Sequence, residues 1–250
     1  MSSERIESKD IESAYIESTL LGIQELRNNL VTQIAHNFRT PLTSVIGFAE
    51  MLLDDGPLTD EQRVEYARFI HYEGIRLSKL IDDVLELSSL ERSDTQLKLE
   101  DHVLPEVVAE AVARVSEFAR GRHVTVKNCA WPPIVVRLDR SKMSQAIFQL
   151  LHNAVRFTRP HDEVEVTVRV IGEAAEIGVR DGGPGIPAEE IPTLFESIAS
   201  TLKPGQDNHS TGVGLTIVKH IVDLHQGRIL VDSTVGKGSL FTLQIPGVLE

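Results

Sequence analysis

The sequence predicts two domains of different fold class: an antiparallel helical hairpin followed by an α/β sandwich. In the first part of the chain, apolar residues recur at spacings of three and four, which is the period of amphipathic helices. Beyond about residue 97 the pattern is mixed, with short strand-like runs between amphipathic stretches, as expected for helices on one face of a mixed sheet. A chain of 250 residues accommodates two such domains.

The beginning of the chain predicts a coiled coil that enters a long helix. Residues 1–30 are polar and charged and carry apolar residues at heptad-like positions, so we assign them to an N-terminal signalling helix. The helix that follows is expected to end near Asp54. It carries one apolar stripe: Ile34, Phe38, Leu42, Val45, Ala49 and Leu52. Asp55-Gly56-Pro57 has turn chemistry, and Thr59 with Gln62 predicts a capping box that starts a second helix.

The second helix has a stripe of its own. It comprises Ala67, Ile70, Gly74, Leu77, Ile81 and Val84. Two helices with one apolar stripe each cannot fully bury these stripes against each other, whereas hairpins from two chains would close a four-helix bundle. The sequence therefore predicts a homodimer, with residues 31–92 as the dimerisation domain and a polar linker over residues 90–96.

The second domain is expected over residues 97–247. Its predicted elements are a helix over 105–119, strands near 124–127 and 134–138, a helix that contains Asn153, paired strands over 164–170 and 176–180, a helix from Gly212 to about His225, and a closing hairpin over 228–245. This order fits a sandwich in which the helices cover one face of a mixed sheet.

Composition limits the classes of partner. With 25 basic and 37 acidic residues the net charge is -12, which argues against nucleic acid or an anionic membrane as the principal partner. The single cysteine, Cys129, excludes an internal disulfide framework and a cysteine zinc cluster, and we expect it to fill a small apolar space in a strand. Without a long apolar run or a signal peptide, we expect a cytoplasmic chain with no direct membrane span.

Residues 36–41 place a histidine and a proline together inside an otherwise helical stretch. A proline there removes one backbone hydrogen bond and crowds the carbonyl of Asn37, at a cost of about 3 kcal/mol. His36 lies about 200° around the helix from the apolar stripe and faces away from the core, and Thr40 shares its face one turn later. A proline that destabilises the helix beside a reactive side chain indicates a functional turn, although His36 alone could be an ordinary surface histidine.

Four further elements follow His36 in a fixed order. They are the amphipathic helix Gln145 to Thr158 that contains Asn153, the turn Asp181-Gly182-Gly183-Pro184-Gly185 after a strand, the helix start Thr211-Gly212-Val213-Gly214-Leu215, and Gly236-Lys237-Gly238 before a final strand. In this order the elements resemble the catalytic core of a sensor histidine kinase. Such a core has a HisKA-type dimerisation and phosphoacceptor domain and a GHKL-type (Bergerat) ATP-binding domain, and the resemblance covers about residues 33–246.

The resemblance implies that ATP and Mg²⁺ bind to the second domain. Asp181 would accept a hydrogen bond from the adenine amine, Asn153 would be a ligand of Mg²⁺, and Arg156 would offset phosphate charge where relatives often carry lysine. Backbone N–H groups at glycines, and at the positive end of the helix that opens beside them, would approach the nucleotide. The remaining predicted contacts are Gly183, Gly185, Gly212, Gly214 and Leu215. Residues 186–210 resemble the ATP lid, anchored by Leu194-Phe195-Glu196.

The resemblance also implies a reaction. His36 would attack the γ-phosphorus of ATP, and the phosphoryl group would pass to an aspartate of a response regulator receiver domain. Asn37 stands where most relatives carry an acid, and Thr40 stands at the position that orients water in the reverse phosphatase step. Gln149 occupies the place of the glutamate that activates water in hydrolytic relatives, which argues against free ATP hydrolysis.

Two alternative functions remain open from the sequence. One is a dimeric adaptor that binds nucleotide without phosphorylating, and the other is a chiefly phosphatase enzyme whose kinase activity is weak because Asn37 replaces the usual acid. The signal in any of these cases would come from a sensor domain or a sensor protein outside this chain.

Overall fold

The computed structural model describes residues 35, 37–54, 56–90, 96–195 and 212–249. These residues form two compact units, one ending at Ile81 and the other beginning at Asp82. The first unit is a helical hairpin and the second is built around mixed β-sheet structure, which confirms the predicted fold class. No helix among these residues is long and apolar enough to cross a membrane.

The hairpin consists of α1, over residues 37–53, and α2, over Asp60–Leu90. The predicted capping box at the start of α2 is confirmed, because the Thr59 N–H donates to Gln62 Oε1 at 2.9 Å and the Gln62 N–H donates to Thr59 Oγ1 at 3.2 Å. Phe48 of α1 stacks on Phe69 of α2, with ring centroids 4.7 Å apart. Helix α1 continues through the buried Pro41, so the proline lies inside the helix as predicted.

Part of the predicted apolar stripe on α1 is exposed in the single chain. Phe38, Val45, Ala49 and Leu52 are half-buried, whereas 46% of Leu42 is exposed. Leu42 forms an exposed apolar ridge with Ile46 and Leu53, which follow at the spacing of a helix face. The hairpin alone therefore leaves apolar surface in water.

A five-stranded mixed sheet forms the centre of the second unit. Its strands are β2 (Thr125–Cys129), β4 (Glu163–Ile171), β5 (Ala174–Asp181), β6 (Arg228–Thr234) and β7 (Gly238–Pro246), in the order β2-β4-β5-β7-β6. Strands β2 and β4 are parallel, and the other neighbours are antiparallel. These strands lie within a few residues of their predicted positions, because their alternation of apolar and polar residues is a local signal.

Three helices cover the sheet: α3 (Leu104–Gly121), α4 (Arg140–Phe157) and α5 (Gly214–Leu224). Their apolar faces and one face of the sheet form the core, which includes Val107, Val115, Ile147, Leu151, Val164, Val166, Ile177, Val179, Ile217, Ile221 and Leu243. Along β4 the burial alternates, with buried valines between less buried polar residues, as expected for a sheet with helices on one face.

A second, small sheet was not predicted in full. It consists of β1 (Glu100–Val103), β3 (Val135–Leu138) and β8 (Val248–Leu249), with β3 in the middle. Only β3 was expected, because β1 and β8 have four and two residues and show no apolar alternation. Cys129 lies in a strand as expected, at the end of β2, but the expectation that it fills an apolar space is wrong, because its side chain is exposed.

Helix α4 is anchored at its start by polar contacts. Asp139 is its N-cap and accepts hydrogen bonds from the backbone N–H groups of Lys142 at 3.1 Å and Lys98 at 3.0 Å. The Asp139 N–H in turn donates to Nε2 of the buried His225 at 3.0 Å. Lys142 Nζ lies 2.6 Å from Glu86 Oε1, in the last turns of α2 that belong to this unit. These contacts fix the helix that carries Asn153.

Candidate functional site

Asp181, the last residue of β5, holds a buried carboxyl group with a defined orientation. Its Oδ1 accepts a hydrogen bond from the Gly183 N–H at 2.8 Å, and the backbone N–H of Ser239 on the neighbouring strand also donates to the carboxyl. Burial raises the pKa of Asp181 above its ordinary value, and the two backbone hydrogen bonds oppose that shift. A carboxyl held in this way is suited to accept a further hydrogen bond from an amine.

The turn after Asp181 leaves no room for a Cβ at Gly183 or Gly185. A Cβ added to Gly183 would lie 2.8 Å from Asp181 Oδ1 and 3.0 Å from the Phe157 carbonyl oxygen at the end of α4. Gly185 has φ +71°, and its Cβ would lie 2.1 Å from the carbonyl oxygen of Thr234. The turn therefore packs closely against both α4 and the β6–β7 hairpin, and glycine is needed for that approach.

The same close packing occurs where α5 begins. Gly214 is the first residue of α5, and a Cβ there would lie 3.0 Å from Gln149 Oε1 on α4. Gln149 is one turn before Asn153, so the first turn of α5 lies against the part of α4 that carries the predicted metal ligand. Gly212, just before the helix, has φ +74°, and Leu215 in its first turn is half-buried.

Three observations on the described residues fit the binding of a nucleotide. At Gly183, Gly185 and Gly214 a Cβ would meet atoms of neighbouring elements, and α5 begins without a side-chain cap on its N–H groups. The hydroxyl of Thr216, in the first turn of α5, is buried and has no hydrogen-bond partner within the described part of the chain. The donors and the acceptor needed for phosphate and base are therefore present in one unit.

Asn153 and Arg156 lie on the last two turns of α4. Asn153 is half-buried, and Arg156 is buried with its guanidinium over the Phe157 ring, 4.9 Å from the ring centre. The carbonyl oxygen of Arg156 accepts a hydrogen bond from Arg122 Nη2 at 3.0 Å, which ties this end of α4 to the end of α3. The roles predicted for Asn153 and Arg156 stay predictions.

The structure describes the first part of the predicted lid, residues 186–195. Phe195 packs edge-on against Phe241 of β7, with ring centroids 6.5 Å apart, which is the kind of anchor predicted for this phenylalanine. The rest of the lid, residues 196–210, and Thr211 lie outside the described residues.

The predicted phosphoacceptor His36 also lies outside the described residues. Its neighbours Asn37 and Thr40 are both in α1, where Asn37 is half-buried and Thr40 is exposed. The Ser44 hydroxyl donates to the Thr40 carbonyl oxygen at 3.3 Å. Asn37 and Thr40 thus belong to the first unit, whereas all the predicted nucleotide contacts belong to the second.

Two serines of this site were not indicated by the sequence. Ser239 supplies the second backbone donor to Asp181, and Ser233 contacts Ser239 across the β6–β7 pair at 3.0 Å between the hydroxyl oxygens. The pattern Gly236-Lys237-Gly238 marked the turn between the two strands. It did not show that Asp181, Ser239 and Ser233 lie opposite one another on β5, β7 and β6, because this depends on strand register.

Comparison with known proteins places this site in a class. Residues 138–248 match the family described as "Histidine kinase-, DNA gyrase B-, and HSP90-like ATPase". Residues 26–93 match the "His Kinase A (phospho-acceptor) domain". The two matches together cover well over half of the chain and occur in the order predicted. The chain therefore belongs to the histidine kinases and carries their catalytic core.

Individual relatives agree with this assignment. The chain is 35% identical over 226 residues to the circadian input-output histidine kinase CikA of Synechococcus elongatus. This match covers 88% of this chain and 30% of CikA. The solved structure of full-length ShkA in complex with AMPPNP has a TM-score of 0.63 and 26% identity, covering 88% of this chain and 46% of that one.

A further solved structure shows the same fold over almost the whole chain. It is the histidine kinase ThkA in complex with the response regulator protein TrrA, with a TM-score of 0.71 and 22% identity, covering 98% of this chain and 67% of that one. The chain spans 30%, 33% and 26% of the length of three curated relatives that it matches.

Proposed function

We propose that this chain autophosphorylates His36 from Mg-ATP and then passes the phosphoryl group to an aspartate of a response regulator. The observation that carries the proposal is the buried Asp181 carboxyl, oriented by the Gly183 N–H at 2.8 Å in a turn where Gly183 and Gly185 leave no space for a Cβ. The match of residues 26–93 to a phosphoacceptor domain supports a histidine as the acceptor. The bound AMPPNP of ShkA supports an adenine nucleotide in the second unit.

In the proposed reaction, Nε2 of His36 forms a bond to the γ-phosphorus while the bond from that phosphorus to the bridging oxygen breaks, which releases ADP. Catalysis of such a transfer is mostly alignment and neutralisation of charge. Asp181 would fix the base, and the N–H groups at Gly212, Gly214 and Leu215 would hold phosphate oxygens. Mg²⁺, held by Asn153 with Arg156 nearby, would offset the charge that develops on the phosphates.

The proposal includes a receiver domain as partner and Thr40 as the residue that orients water in the reverse step. A phosphoramidate is an activated donor, so a receiver aspartate can take its phosphoryl group. The ThkA complex with TrrA supports a response regulator as the partner of this fold. Thr40 is exposed on α1 and is therefore accessible to a docked partner.

Incubation of the purified chain with γ-labelled ATP and Mg²⁺ tests the proposed function. A phosphohistidine is labile in acid and stable in alkali, so the label should survive alkali and be lost in acid. A chain that binds ATP but takes up no label would favour the nucleotide-binding adaptor. A chain that takes up little label but rapidly dephosphorylates a phosphorylated receiver domain would favour the phosphatase.

The proposed core is a homodimer, and its interface is expected to include the exposed ridge on α1. We expect the chain to sediment as a dimer at micromolar concentration, because Leu42, Ile46 and Leu53 would otherwise stay in water. Ile46→Glu should shift the chain toward monomer, since an unpaired charge is costly to bury. Leu230→Glu is the matched control, because Leu230 and Ile46 are each 49% exposed. A wild-type monomer at that concentration would contradict the proposed dimer.

Asn37 is expected to limit the rate of autophosphorylation. Its amide oxygen can accept a hydrogen bond from Nδ1–H of His36, but an amide cannot take the proton as charge develops on the ring. General-base assistance typically contributes about 10²- to 10⁴-fold. We therefore expect slow labelling that rises with pH, and an Asn37→Glu variant that is at least several-fold faster at neutral pH with unchanged ATP affinity.

Initial labelling rates between pH 6 and 9 check this expectation. Asn37→Gln is the matched control, because glutamine has the length of glutamate but no basic group. If Asn37→Glu were no faster than Asn37→Gln at any pH, the residue after the phosphoacceptor would have no role as a base in this chain.

A further inference from the structure

The hydroxyl of Ser233 joins two parts of the candidate nucleotide site. Ser233 is the next-to-last residue of β6 and is half-buried. Its Oγ accepts a hydrogen bond from the Ile186 N–H at 2.8 Å and lies 3.0 Å from the Gly238 carbonyl oxygen and 3.0 Å from Ser239 Oγ. A hydroxyl donates one hydrogen bond and accepts two, so these three contacts use its whole capacity.

Through Ser239 the Ser233 hydroxyl is connected to Asp181. Ser233 is the register partner of Ser239 between β6 and β7, and Ser239 is the register partner of Asp181 between β7 and β5. The three residues therefore form a row across three adjacent strands. The backbone N–H of Ser239 donates to the Asp181 carboxyl, so a shift of this row moves the carboxyl.

Ile186 lies at the other end of the turn that begins after Asp181. That turn has neither helix nor strand structure, so its position depends on its attachments to neighbouring elements. Two of these attachments go to the β6–β7 hairpin: the Gly236 N–H donates to the Pro184 carbonyl oxygen at 2.6 Å, and the Ser233 hydroxyl accepts from the Ile186 N–H. Gly185 between them already lies too close to β6 for a Cβ, so the turn cannot move further toward β6, and the two hydrogen bonds oppose its movement away from β6.

We infer that Ser233 is a positioning residue for the base-binding end of the site. Its hydroxyl holds the turn of residues 182–186 against the β6–β7 hairpin and thereby sets the orientation of the Asp181 carboxyl toward the adenine amine. Ser233 does not itself contact the nucleotide in this role. The inference rests on the proposed binding of an adenine nucleotide and adds a residue that neither the motifs nor the resemblance indicated.

The test measures dissociation constants by calorimetry for ADP, AMPPNP and GDP, each with Mg²⁺. Ser233→Ala should weaken ADP and AMPPNP binding by the same factor, about three- to tenfold, as expected for one neutral hydrogen-bond network. The ratio of the dissociation constants for AMPPNP and ADP should stay unchanged, because the phosphate contacts are intact. The preference for ADP over GDP should fall by the same factor, because orientation of Asp181 decides between the two bases.

Two control variants separate positioning from general stability. Ser233→Thr keeps the hydroxyl and should restore ADP affinity to within about twofold of wild type. Thr234→Ala removes an exposed hydroxyl from the adjacent position of β6 and should leave all three affinities unchanged. Thermal unfolding of each variant shows whether it is folded, and Ser233→Cys, with weaker hydrogen bonds and similar volume, replaces Ser233→Ala if that variant is unfolded.

Wild-type ADP affinity and base preference in Ser233→Ala would overturn the inference. A reduced AMPPNP-to-ADP ratio with an unchanged preference for ADP over GDP would also overturn it, because the effect would then lie at the phosphates. In both cases, binding of ADP by the wild-type chain would leave the proposed function standing. A wild-type chain that binds none of the three nucleotides would overturn the proposed function and this inference together.

Discussion

His36→Ala is expected to abolish alkali-stable labelling of the chain while leaving the affinity for Mg-ATP unchanged. The label requires the imidazole nitrogen as nucleophile, and no methyl group can replace it. The residues that we assign to the nucleotide belong to the second compact unit, which begins at Asp82, and the His36 imidazole is not one of the groups that we assign to nucleotide binding. Labelling with γ-labelled ATP and calorimetric titration with AMPPNP measure the two quantities separately.

His71→Ala is the matched control for this experiment. His71 is an exposed histidine on α2 of the same hairpin, so its loss should reduce labelling by less than twofold. A label that persists in His36→Ala on another residue would contradict the assignment of the acceptor. Loss of AMPPNP affinity in His36→Ala would contradict the assignment of acceptor and nucleotide to separate units.

The second large effect is expected at Asp181. Asp181→Asn keeps the shape of the side chain and an oxygen that can accept from the Gly183 N–H, but its amide group can no longer offer two acceptor oxygens. Hydrogen bonds to charged groups contribute about 1.5–3 kcal/mol, so ADP affinity should fall by about 10- to 100-fold. Labelling at subsaturating ATP should fall by a similar factor, and saturating ATP should restore part of it.

Glu176→Gln is the matched control, because Glu176 is the other buried acid on β5. Its carboxyl accepts from Gln244 Nε2 at 2.7 Å and binds Arg169, so this variant is expected to lower the free energy of unfolding without changing ADP affinity. Equal ADP affinities of Asp181→Asn and wild type would show that Asp181 does not bind the base.

The pH dependence of ADP binding gives a second measurement on Asp181. Burial raises the pKa of this carboxyl, so it takes up a proton at a higher pH than an exposed aspartate does. Protonation removes an acceptor, and ADP affinity should therefore be present above that pKa and decline as the pH falls through it. Asp181→Asn should lack this decline, since an amide does not titrate in this range.

Most of the fold and the order of the site motifs could be predicted because their signals are local. The capping box of Thr59 and Gln62 needs only a separation of three residues, and it is present with both hydrogen bonds. The strands β4 and β5 were expected from their alternation, which follows from the two-residue period of a strand. Comparison with known families confirms the histidine kinase core that these motifs indicated.

What the sequence did not show depends on contacts between distant parts of the chain. The strands β1 and β8 are too short to show a period and exist because they pair with β3. The exposure of Cys129 depends on its place at the end of an edge strand, where its residue type gives no information.

The sequence by itself thus determined the helices, the main strands, the hairpin and the identity of the motif residues, because each is encoded by neighbours within a few positions. Only the tertiary structure decided how those motifs meet. Register between β5, β7 and β6 places Asp181, Ser239 and Ser233 in one row, and Ile186 donates to Ser233 from 47 residues away. A one-residue change in register would move every side chain of a strand to the other face, and no local pattern specifies that choice between strands so far apart.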